Sequence, residues 1–313
     1  MADAPWTIGR LLTWTTDYLK QQGAASPRLD AEVLLAFARD CERIDLYTAF
    51  GDVADEALRA RFRELVQARA KGTPVAYLVG RKEFYSRPFH VSPAVLIPRP
   101  ETEFVVLRAL EVARSFHTDT LHIADMGTGS GVLAVTLALE LPTARVVAVD
   151  RSPAALEVAQ RNAQQHGVAE RIEFVHSDWF ASLPPDAPFD LIVSNPPYIS
   201  RREFEQLAPD VREHEPSEAL LGGPEGLEPS RTLIRDAADF LKPGGWLVLE
   251  TSPTIAEQLA REWNDAPAFG QVHTTCDLAQ LARVVSAQKT PLAPTETTMI
   301  RQPGRSSNRP PPE

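Results

Sequence analysis

Four consecutive residues, Asn195-Pro196-Pro197-Tyr198, carry groups suited to holding a planar group that bears an NH2. The side-chain carbonyl of Asn195 and the backbone carbonyl of Pro196 are acceptors, and Tyr198 adds an aromatic face and a hydroxyl. The apolar run 189–194 before them is typical of a buried strand, and two prolines end any ladder. Because open α/β sheets bind ligands at the carboxyl ends of their strands, we predict a ligand site here. A proline-stiffened turn after a core strand is the plainer alternative.

A second segment suited to chemistry is the glycine-rich run Asp125-Met126-Gly127-Thr128-Gly129-Ser130-Gly131, between a predicted strand and a predicted helix. Glycines let the backbone turn sharply and approach a ligand closely. Asp150 ends the next predicted strand, where a carboxylate can accept hydrogen bonds from both hydroxyls of a ribose. These features serve NAD and S-adenosylmethionine equally well.

Three further features favour S-adenosylmethionine. The glycine spacing is G-x-G-x-G, whereas pyrophosphate binders carry G-x-G-x-x-G. The carboxylate of Asp125 would repel a pyrophosphate but attract the amino group of a methionine. Asp178 and Trp179 follow a third predicted strand, where they can flank an adenine, although a capped turn beside a core tryptophan is the alternative. The candidate cofactor-binding residues are therefore Asp125, Gly127, Thr128, Gly129, Ser130, Gly131, Asp150, Asp178, Trp179 and Asn195.

The elements that position these residues divide the chain into four parts. Residues 1–75 predict a small helical domain, with two helices in 6–37, broken at 23–27, and a third at 55–70. Residues 76–98 predict a β-hairpin linker, extended at 76–80, 83–85, 89–91 and 95–97, with its turn at Arg87-Pro88. Residues 99–287 alternate strands and helices, which predicts an α/β domain with a doubly wound, mostly parallel sheet. Residues 288–313 are rich in proline and predict a disordered tail.

The predicted strands and helices of the α/β domain have the following bounds. The strands are 121–126, 145–149, 172–176, 189–194, 246–250, 271–276 and 283–287, and the helices are 104–113, 132–140, 152–166, 229–241 and 254–263.

Composition limits the classes of function. The chain has 313 residues, 43% of them hydrophobic, and a net charge of −10, which disfavours a broad electrostatic grip on nucleic acid. No apolar run reaches the roughly 18 residues of a membrane span, and no signal peptide is visible. The two cysteines, Cys41 and Cys276, predict reduced thiols, and the seven histidines show no metal-ligand spacing. We expect a cytoplasmic protein with no metal, no membrane contact and no stable nucleic-acid partner.

The helical domain and the linker nevertheless carry a local group of basic residues. A solvated helix face and a face that docks a partner explain this group equally well. The group consists of Arg59, Arg61, Arg63, Arg69, Lys71, Arg81 and Lys82.

These motifs together resemble class I S-adenosylmethionine-dependent methyltransferases that modify planar nitrogens. Further segments narrow the resemblance, over about residues 6–286, to the HemK/PrmC protein-glutamine methyltransferases. These segments are 84–91 (FYSRPFHV), 96–103 (LIPRPETE), 215–220 (EPSEAL), 277–279 (DLA) and 283–285 (RVV). One departure from the family pattern is Glu250-Thr251-Ser252-Pro253, where members usually carry a glycine two residues after the glutamate.

The resemblance implies a Rossmann-like fold, with a seven-stranded and mostly parallel sheet, and a helical domain that recognises the substrate. It implies methyl transfer to the side-chain amide nitrogen (N5) of the glutamine in the Gly-Gly-Gln motif of peptide chain release factors. Asn195, Pro196 and Tyr198 would be catalytic. The substrate would contact Asn195, Pro196, Pro197, Tyr198, Phe89, Arg99 and Glu101, although helix capping explains Glu101 equally well.

Three other functions remain open on the sequence. A DNA or RNA amino-group methyltransferase, acting on adenine N6 or cytosine N4, would use the same four-residue motif, but we would then expect an added recognition domain and net positive charge. A sister group of the same family methylates a glutamine of a ribosomal protein. An inactive scaffold that docks on a translation factor need not keep the glycine loop and Asp150.

Overall fold

The computed structural model describes residues 5–184 and 188–290. The helices are α1 (Ile8–Gln21), α2 (Pro27–Arg39), α3 (Asp45–Thr48), α4 (Glu56–Ala70), α5 (Val75–Val79), α6 (Glu103–Ala113), α7 (Val132–Glu140), α8 (Pro153–Gln165), α9 (Arg201–Phe204), α10 (Pro209–His214), α11 (Glu228–Phe240) and α12 (Ala256–Asn264). The strands are β1 (Arg81–Phe84), β2 (Arg87–His90), β3 (His122–Met126), β4 (Arg145–Asp150), β5 (Ile172–His176), β6 (Phe189–Ser194), β7 (Leu241–Glu250), β8 (Phe269–Cys276) and β9 (Ala282–Lys289). None of the described helices is both long and apolar enough to span a bilayer.

The first five helices form a bundle around one apolar core. Thr7 caps α1 by accepting a hydrogen bond from the Arg10 backbone N–H at 3.2 Å, and Asp55 caps α4 by accepting from Leu58 at 2.7 Å. Ser26 precedes the first residue of α2, but its side chain makes no capping hydrogen bond. Apolar side chains at helical spacing, such as Leu12 and Phe62, are buried between the helices.

The linker differs from the sequence-based prediction. Residues 76–79, predicted as extended, belong to the short helix α5, which starts after Pro74 and ends at Gly80 in the left-handed region (φ 68°). The hairpin turns at Tyr85 and Ser86 (φ 50° and 58°) and not at Arg87-Pro88, because the twist of a two-residue turn requires positive φ at both central positions. Residues 95–97 form no strand.

The α/β domain is built on seven strands in the order β5-β4-β3-β6-β7-β9-β8. The first five in this order run parallel, and β9 and β8 are antiparallel to their neighbours. Apolar cores lie on both faces: α6 and α7 pack on one face, and α11 and α12 pack on the other. The predicted doubly wound, mostly parallel sheet is confirmed.

Three predicted strand boundaries are wrong by two residues or more, and one of them is the start of β8, which lies at Phe269 rather than at 271. β7 begins at Leu241 rather than Trp246, because Lys242 is held beside β6 by the carboxylate of Asp190 at 2.8 and 2.9 Å. β9 continues to Lys289, so the predicted tail does not begin at 288. Gln288 pairs with Trp246, and the Lys289 ammonium donates to two backbone carbonyls of the α11–β7 segment. The rest of the predicted tail, from 291 onward, lies outside the described residues.

The strand order determines where a site can form. The chain proceeds from β3 outward to β5 and then returns to place β6 on the other side of β3. Neighbouring strands whose connections leave in opposite directions open a crevice at their carboxyl ends. The glycine loop follows β3 and Asn195 follows β6, so both predicted motifs lie at this crevice.

Candidate active site

The glycine loop after β3 is held at the end of the neighbouring strand. The backbone N–H groups of Gly127 and Thr128 both donate to the Val149 carbonyl at 2.8 Å. Gly131 has φ 81°, and a Cβ there would lie 3.0 Å from the Cβ of Ala159 on α8. Only glycine fits this close approach of the loop to α8 without strain.

Asp125 supports the glycine loop from the protein interior through hydrogen bonds. It is fully buried, and its Oδ2 accepts hydrogen bonds from the Thr128 hydroxyl at 2.6 Å and from the Ala134 N–H at 3.0 Å. Burial raises the pKa of Asp125 to about 7. Its Oδ1 has no hydrogen-bond partner within the described residues. Contact between Asp125 and a cofactor amino group therefore stays a prediction that depends on this one oxygen.

Asp150 lies at the end of β4 and faces the loop. Its Oδ2 accepts from the Gly129 N–H and its Oδ1 from the Ser152 N–H, both at 2.9 Å. These bonds fix the carboxylate in position and leave each oxygen a further lone pair for an incoming hydroxyl. Asp178 and Trp179 follow β5 on the same edge of the sheet.

A cavity of about 390 Å³, called the large cavity below, lies over this edge. Its volume is in the range of about 300–1,000 Å³ that is usual for small-molecule sites. The predicted cofactor residues in its wall are Gly127, Thr128, Gly129, Ser130, Asp150, Asp178, Trp179 and Asn195. Asp125 and Gly131 support the loop from behind. The linker also lines this cavity, which the sequence analysis did not predict. Its residues in the wall are Pro93, Ala94, Val95 and Leu96.

A second cavity of about 280 Å³, called the side pocket below, opens beside Asn195. Its wall includes Pro196 and Tyr198 of the predicted motif, together with Leu207 and Val211 from the α9–α10 segment. Pro197 lines the large cavity instead. Asn195 and Arg99 belong to both walls, so the two cavities meet at these side chains.

The side chain of Asn195 is oriented by Thr102, a residue that the sequence analysis did not single out for chemistry. The Asn195 Nδ2 donates to the Thr102 hydroxyl oxygen at 3.1 Å. With its nitrogen in this bond, the amide has Oδ1 left as an acceptor.

Tyr198 is fixed from the end of β7. Its hydroxyl donates to Glu250 Oε1 at 3.0 Å, while its ring lines the side pocket. Burial, followed by the charge of Glu250, moves the pKa of Tyr198 well above its ordinary value. Glu250 is itself buried, and its burial raises its pKa to about 7 against the hydroxyl groups of Thr102 and Tyr198, which lower it. The hydroxyl of Tyr198 is thus engaged by Glu250, and Tyr198 also contributes to the wall of the side pocket.

Arg99, predicted as a wall residue, lines both cavities and is held by a buried glutamate. Glu215 Oε1 accepts from the Arg99 guanidinium at 2.6 Å, and Oε2 accepts from the Ile97 N–H at 3.0 Å. Glu215, in the segment 215–220, is buried, and its two bonds tie the linker to the loop before α11.

Two predicted substrate residues are not wall residues. Phe89 is fully buried, edge-on to Phe84 and tilted against His166, because it points from β2 into the core of the α/β domain. Glu101 lies 3.8 Å from the Arg283 guanidinium on β9 and belongs to the wall of neither cavity.

The backbone of the Asn195–Tyr198 loop is held by a glycine segment that the sequence analysis did not identify. Ile199 bridges Leu221, and a Cβ on Gly226 would lie 2.4 Å from the Tyr198 carbonyl oxygen. A Cβ on Gly222 would lie 2.6 Å from the Pro197 carbonyl oxygen. The sequence feature that could have indicated these contacts is the group of three closely spaced glycines, Gly222, Gly223 and Gly226.

Comparison with known proteins agrees with this geometry. The family described as the PrmC N-terminal domain matches residues 10–80, and the family described as the methyltransferase small domain matches residues 105–211. A release factor glutamine methyltransferase of Rhodopirellula baltica is 46% identical over 289 residues, which are 92% of this chain and 98% of that protein. One of Geobacter sulfurreducens is 44% identical over 252 residues, 80% of this chain and 86% of that protein.

Solved structures agree on the fold. The catalytic domain of hMettl16 superposes with a TM-score of 0.51 at 15% identity, over 65% of this chain and 77% of that one. The class I methyltransferase fold that the motifs predicted is thereby confirmed.

Proposed function

Because this chain belongs to the family of release factor glutamine methyltransferases, we propose that it methylates the side-chain amide nitrogen of the glutamine in the Gly-Gly-Gln motif of a peptide chain release factor. The observation that carries the proposal is that the large cavity and the side pocket meet at Asn195. One cavity is lined by the cofactor motif and the other by the amide-binding motif. Such an enzyme acts beside the translation machinery, in the cytoplasm.

The methyl donor is S-adenosylmethionine, which supplies an electrophilic methyl group on a sulfonium. The residues of the large cavity fit this cofactor: Asp150 would accept hydrogen bonds from the ribose hydroxyls, and Asp178 and Trp179 would flank the adenine. The loop Gly127–Gly131 lets the backbone approach the methionine part. Asp125, fully buried behind this loop with an Oδ1 that has no partner in the described part of the chain, would attract the cationic amino group through its charge.

The chemical problem is that an amide nitrogen is a poor nucleophile, because its lone pair is delocalised into the carbonyl. In the proposed mechanism, Asn195 Oδ1 and the Pro196 carbonyl accept the two N–H groups of the glutamine amide. The ring of Tyr198 packs against the amide plane. Held in this way, the nitrogen would direct its lone pair toward the large cavity. Methyl transfer would break the bond between the methyl group and sulfur and leave S-adenosyl-L-homocysteine, and the methylated nitrogen would then lose one proton to water. Positioning and electrostatic stabilisation then supply most of the catalysis.

We assign substrate recognition to the helical domain, residues 1–75. Of the ten large apolar side chains that are exposed in the described part of the chain, seven belong to this domain: Trp14, Leu29, Phe37, Ile44, Tyr47, Phe50 and Val53. A concentration of exposed apolar side chains in one domain suits a protein partner. An ion pair also links this domain to the side pocket, because Arg69 of α4 lies 3.5 Å from Asp210 of α10.

The test is a transfer assay with methyl-labelled S-adenosylmethionine. The acceptors are a release factor, the same factor with glutamine replaced by alanine in the Gly-Gly-Gln motif, and unmethylated DNA. We expect label on the intact factor alone. Label on DNA would assign the Asn195–Tyr198 chemistry to a nucleobase and overturn the substrate assignment. Label on both factor forms would refute the target atom.

The division of roles has its own test in Asn195→Ala. We expect this variant to lose turnover while its affinity for S-adenosylmethionine, measured by calorimetry, changes by less than about threefold, because the loop and Asp150 carry that affinity. Equal loss of turnover and affinity would show that Asn195 mainly binds the cofactor.

A further inference from the structure

We infer that Thr102 and Glu250 are positioning residues that fix the orientation of the Asn195 side-chain amide, so that its oxygen and not its nitrogen faces the side pocket. The inference rests on the role proposed above for Asn195. It concerns two residues that the four-residue motif does not contain and that lie on different elements: Thr102 in the 3-10 helix Pro100–Thr102, and Glu250 at the end of β7.

Two hydrogen bonds and one electrostatic interaction connect these residues with the motif. Asn195 Nδ2 donates to Thr102 Oγ1 at 3.1 Å, and Tyr198 donates to Glu250 Oε1 at 3.0 Å. The Thr102 hydroxyl also interacts with the Glu250 carboxylate and stabilises its charged form. Thr102 and Glu250 are 2% and 1% exposed, so water does not compete for these bonds. The buried carboxylate of Glu250 therefore supports both Tyr198, directly, and Asn195, through Thr102.

The direction of the hydrogen bonds determines what Asn195 presents. An ionised carboxylate only accepts, and a threonine hydroxyl has a single hydrogen. When that hydrogen points to Glu250, the Thr102 oxygen can only accept, and Asn195 must offer Nδ2 to it. If the hydroxyl hydrogen pointed to Asn195 instead, the amide would turn over and its NH2 would face the NH2 of the substrate, which places two donors against each other. The ionised form of Glu250 thus selects the acceptor orientation of Asn195.

The charge state of Glu250 is set by its surroundings. The pKa of Glu250 is raised to about 7, mainly by burial and also by the charge of the nearby Glu101, although Thr102, Tyr198 and Arg283 act to lower it. Arg283 is shared with Asp277, whose carboxylate accepts from it at 2.7 Å. Oε2 of Glu250 is buried and has no hydrogen-bond partner in the described ranges, so a proton can occupy it when the pH falls. A protonated Glu250 can donate as well as accept, so it no longer requires the Thr102 hydroxyl to donate toward it.

The first experiment compares three threonine variants of the full chain by steady-state methylation of a release factor. Thr102→Val keeps the shape and removes the hydroxyl, so we expect kcat to fall by about tenfold to a hundredfold with little change in cofactor affinity. Thr102→Ser restores the hydroxyl and should recover kcat to within about threefold of the wild type. The matched control is Thr136→Val on α7, since the Thr136 hydroxyl is also buried and has no partner among the described residues.

The second experiment is the pH dependence of kcat at saturating substrates. For the wild type we expect kcat to rise as the pH increases through about 7, the pKa of Glu250. Glu250→Gln cannot ionise and its amide can donate, so we expect a low kcat with no step in this range. A purely structural role of Glu250 would lower activity or stability without removing the step.

The outcomes separate this inference from the proposed role of Asn195. If Thr102→Val or Glu250→Gln keeps the kcat and the pH step of the wild type while Asn195→Ala is inactive, the positioning inference is wrong and the role of Asn195 stands. If Asn195→Ala is itself as active as the wild type, the proposed function of the motif fails first. Loss of kcat in Thr102→Val, recovery in Thr102→Ser and loss of the step in Glu250→Gln support the inference.

Discussion

Replacing Gly226 with alanine is expected to slow methyl transfer without weakening cofactor binding. Gly226 lies in the segment that packs under the Asn195–Tyr198 loop, and a Cβ there would stand 2.4 Å from the Tyr198 carbonyl oxygen. Ordinary van der Waals contact begins at 3.4 Å, so the loop has to retreat by about 1 Å. The Tyr198 ring lines the side pocket and the adjoining Pro196 carbonyl is a proposed acceptor, so this shift disturbs the site where the amide must be held.

The magnitude has two parts. Gly226 has φ 82°, and an alanine in the left-handed region costs about 1–2 kcal/mol. The collision adds about 1–3 kcal/mol of strain in a packed region. A displacement of about 1 Å at a positioning group lowers the rate by roughly a hundredfold. We therefore expect kcat to fall by about two orders of magnitude while the Kd for S-adenosylmethionine stays near that of the wild type.

The matched control is Gly23→Ala. Gly23 has φ 83°, nearly the same as Gly226, but a Cβ there would meet nothing within 4 Å. Both variants carry the backbone strain, and only Gly226→Ala carries the collision. Urea denaturation measures stability, and the labelled-methyl assay with a release factor measures kcat. If Gly226→Ala has the stability of Gly23→Ala and a wild-type kcat, the loop tolerates the intrusion and the reasoning is refuted.

Three other predictions follow from groups around the site. Asp150→Asn should weaken binding of S-adenosylmethionine by about tenfold or more, seen by calorimetry, since an amide presents only one acceptor oxygen to the ribose; unchanged affinity would remove Asp150 from the ribose site. Burial raises the pKa of Asp125 from 3.8 to about 7, so ionisation of Asp125 opposes folding. As the pH rises from 3.8 to 7, the wild type should therefore lose up to about 4 kcal/mol of stability relative to Asp125→Asn, which has no ionising group at this position. A pH-independent difference in urea denaturation would contradict the burial of an ionising group there. Glu215→Gln should cost about 1–3 kcal/mol of stability and raise KM for the release factor, because Arg99 loses its charged partner; an unchanged KM would show that the wall does not need this ion pair.

The strands of the sheet were predictable because both faces of a parallel sheet are covered, and such strands are continuous apolar runs. The bounds of β5 and β6 agree with the sequence-based prediction at both ends. The linker was not predictable in the same way. The run Val75–Val79 is apolar and short, and periodicity alone does not distinguish a helix turn from a strand at that length. Its end at Gly80 and the positive φ values of Tyr85 and Ser86 settled its conformation.

The residues of the site also fall into a predictable and an unpredictable group. Motif residues adjacent in the chain were found from the sequence, because a loop at a strand end is local. Residues whose role depends on distant partners were missed or misassigned. Thr102 meets Asn195 across 93 positions, and Ile97 meets Glu215 across 118. Phe89 was assigned to a wall because nothing in its neighbourhood of the chain indicates that β2 turns it into the core.

The sequence by itself determined the mostly parallel sheet, the glycine loop after β3, the carboxylates at the ends of β4 and β5, and the Asn195–Tyr198 motif after β6, since each is encoded by a hydrophobic pattern and a few contiguous residues. Only the tertiary structure decided that the two cavities meet at Asn195, that Thr102 and Glu250 stand behind it, and that Gly226 supports the Tyr198 backbone. The physical reason is that hydrogen-bond direction, close packing and the pKa of a buried carboxylate depend on which distant residues meet, and the order of residues along the chain does not specify those distances.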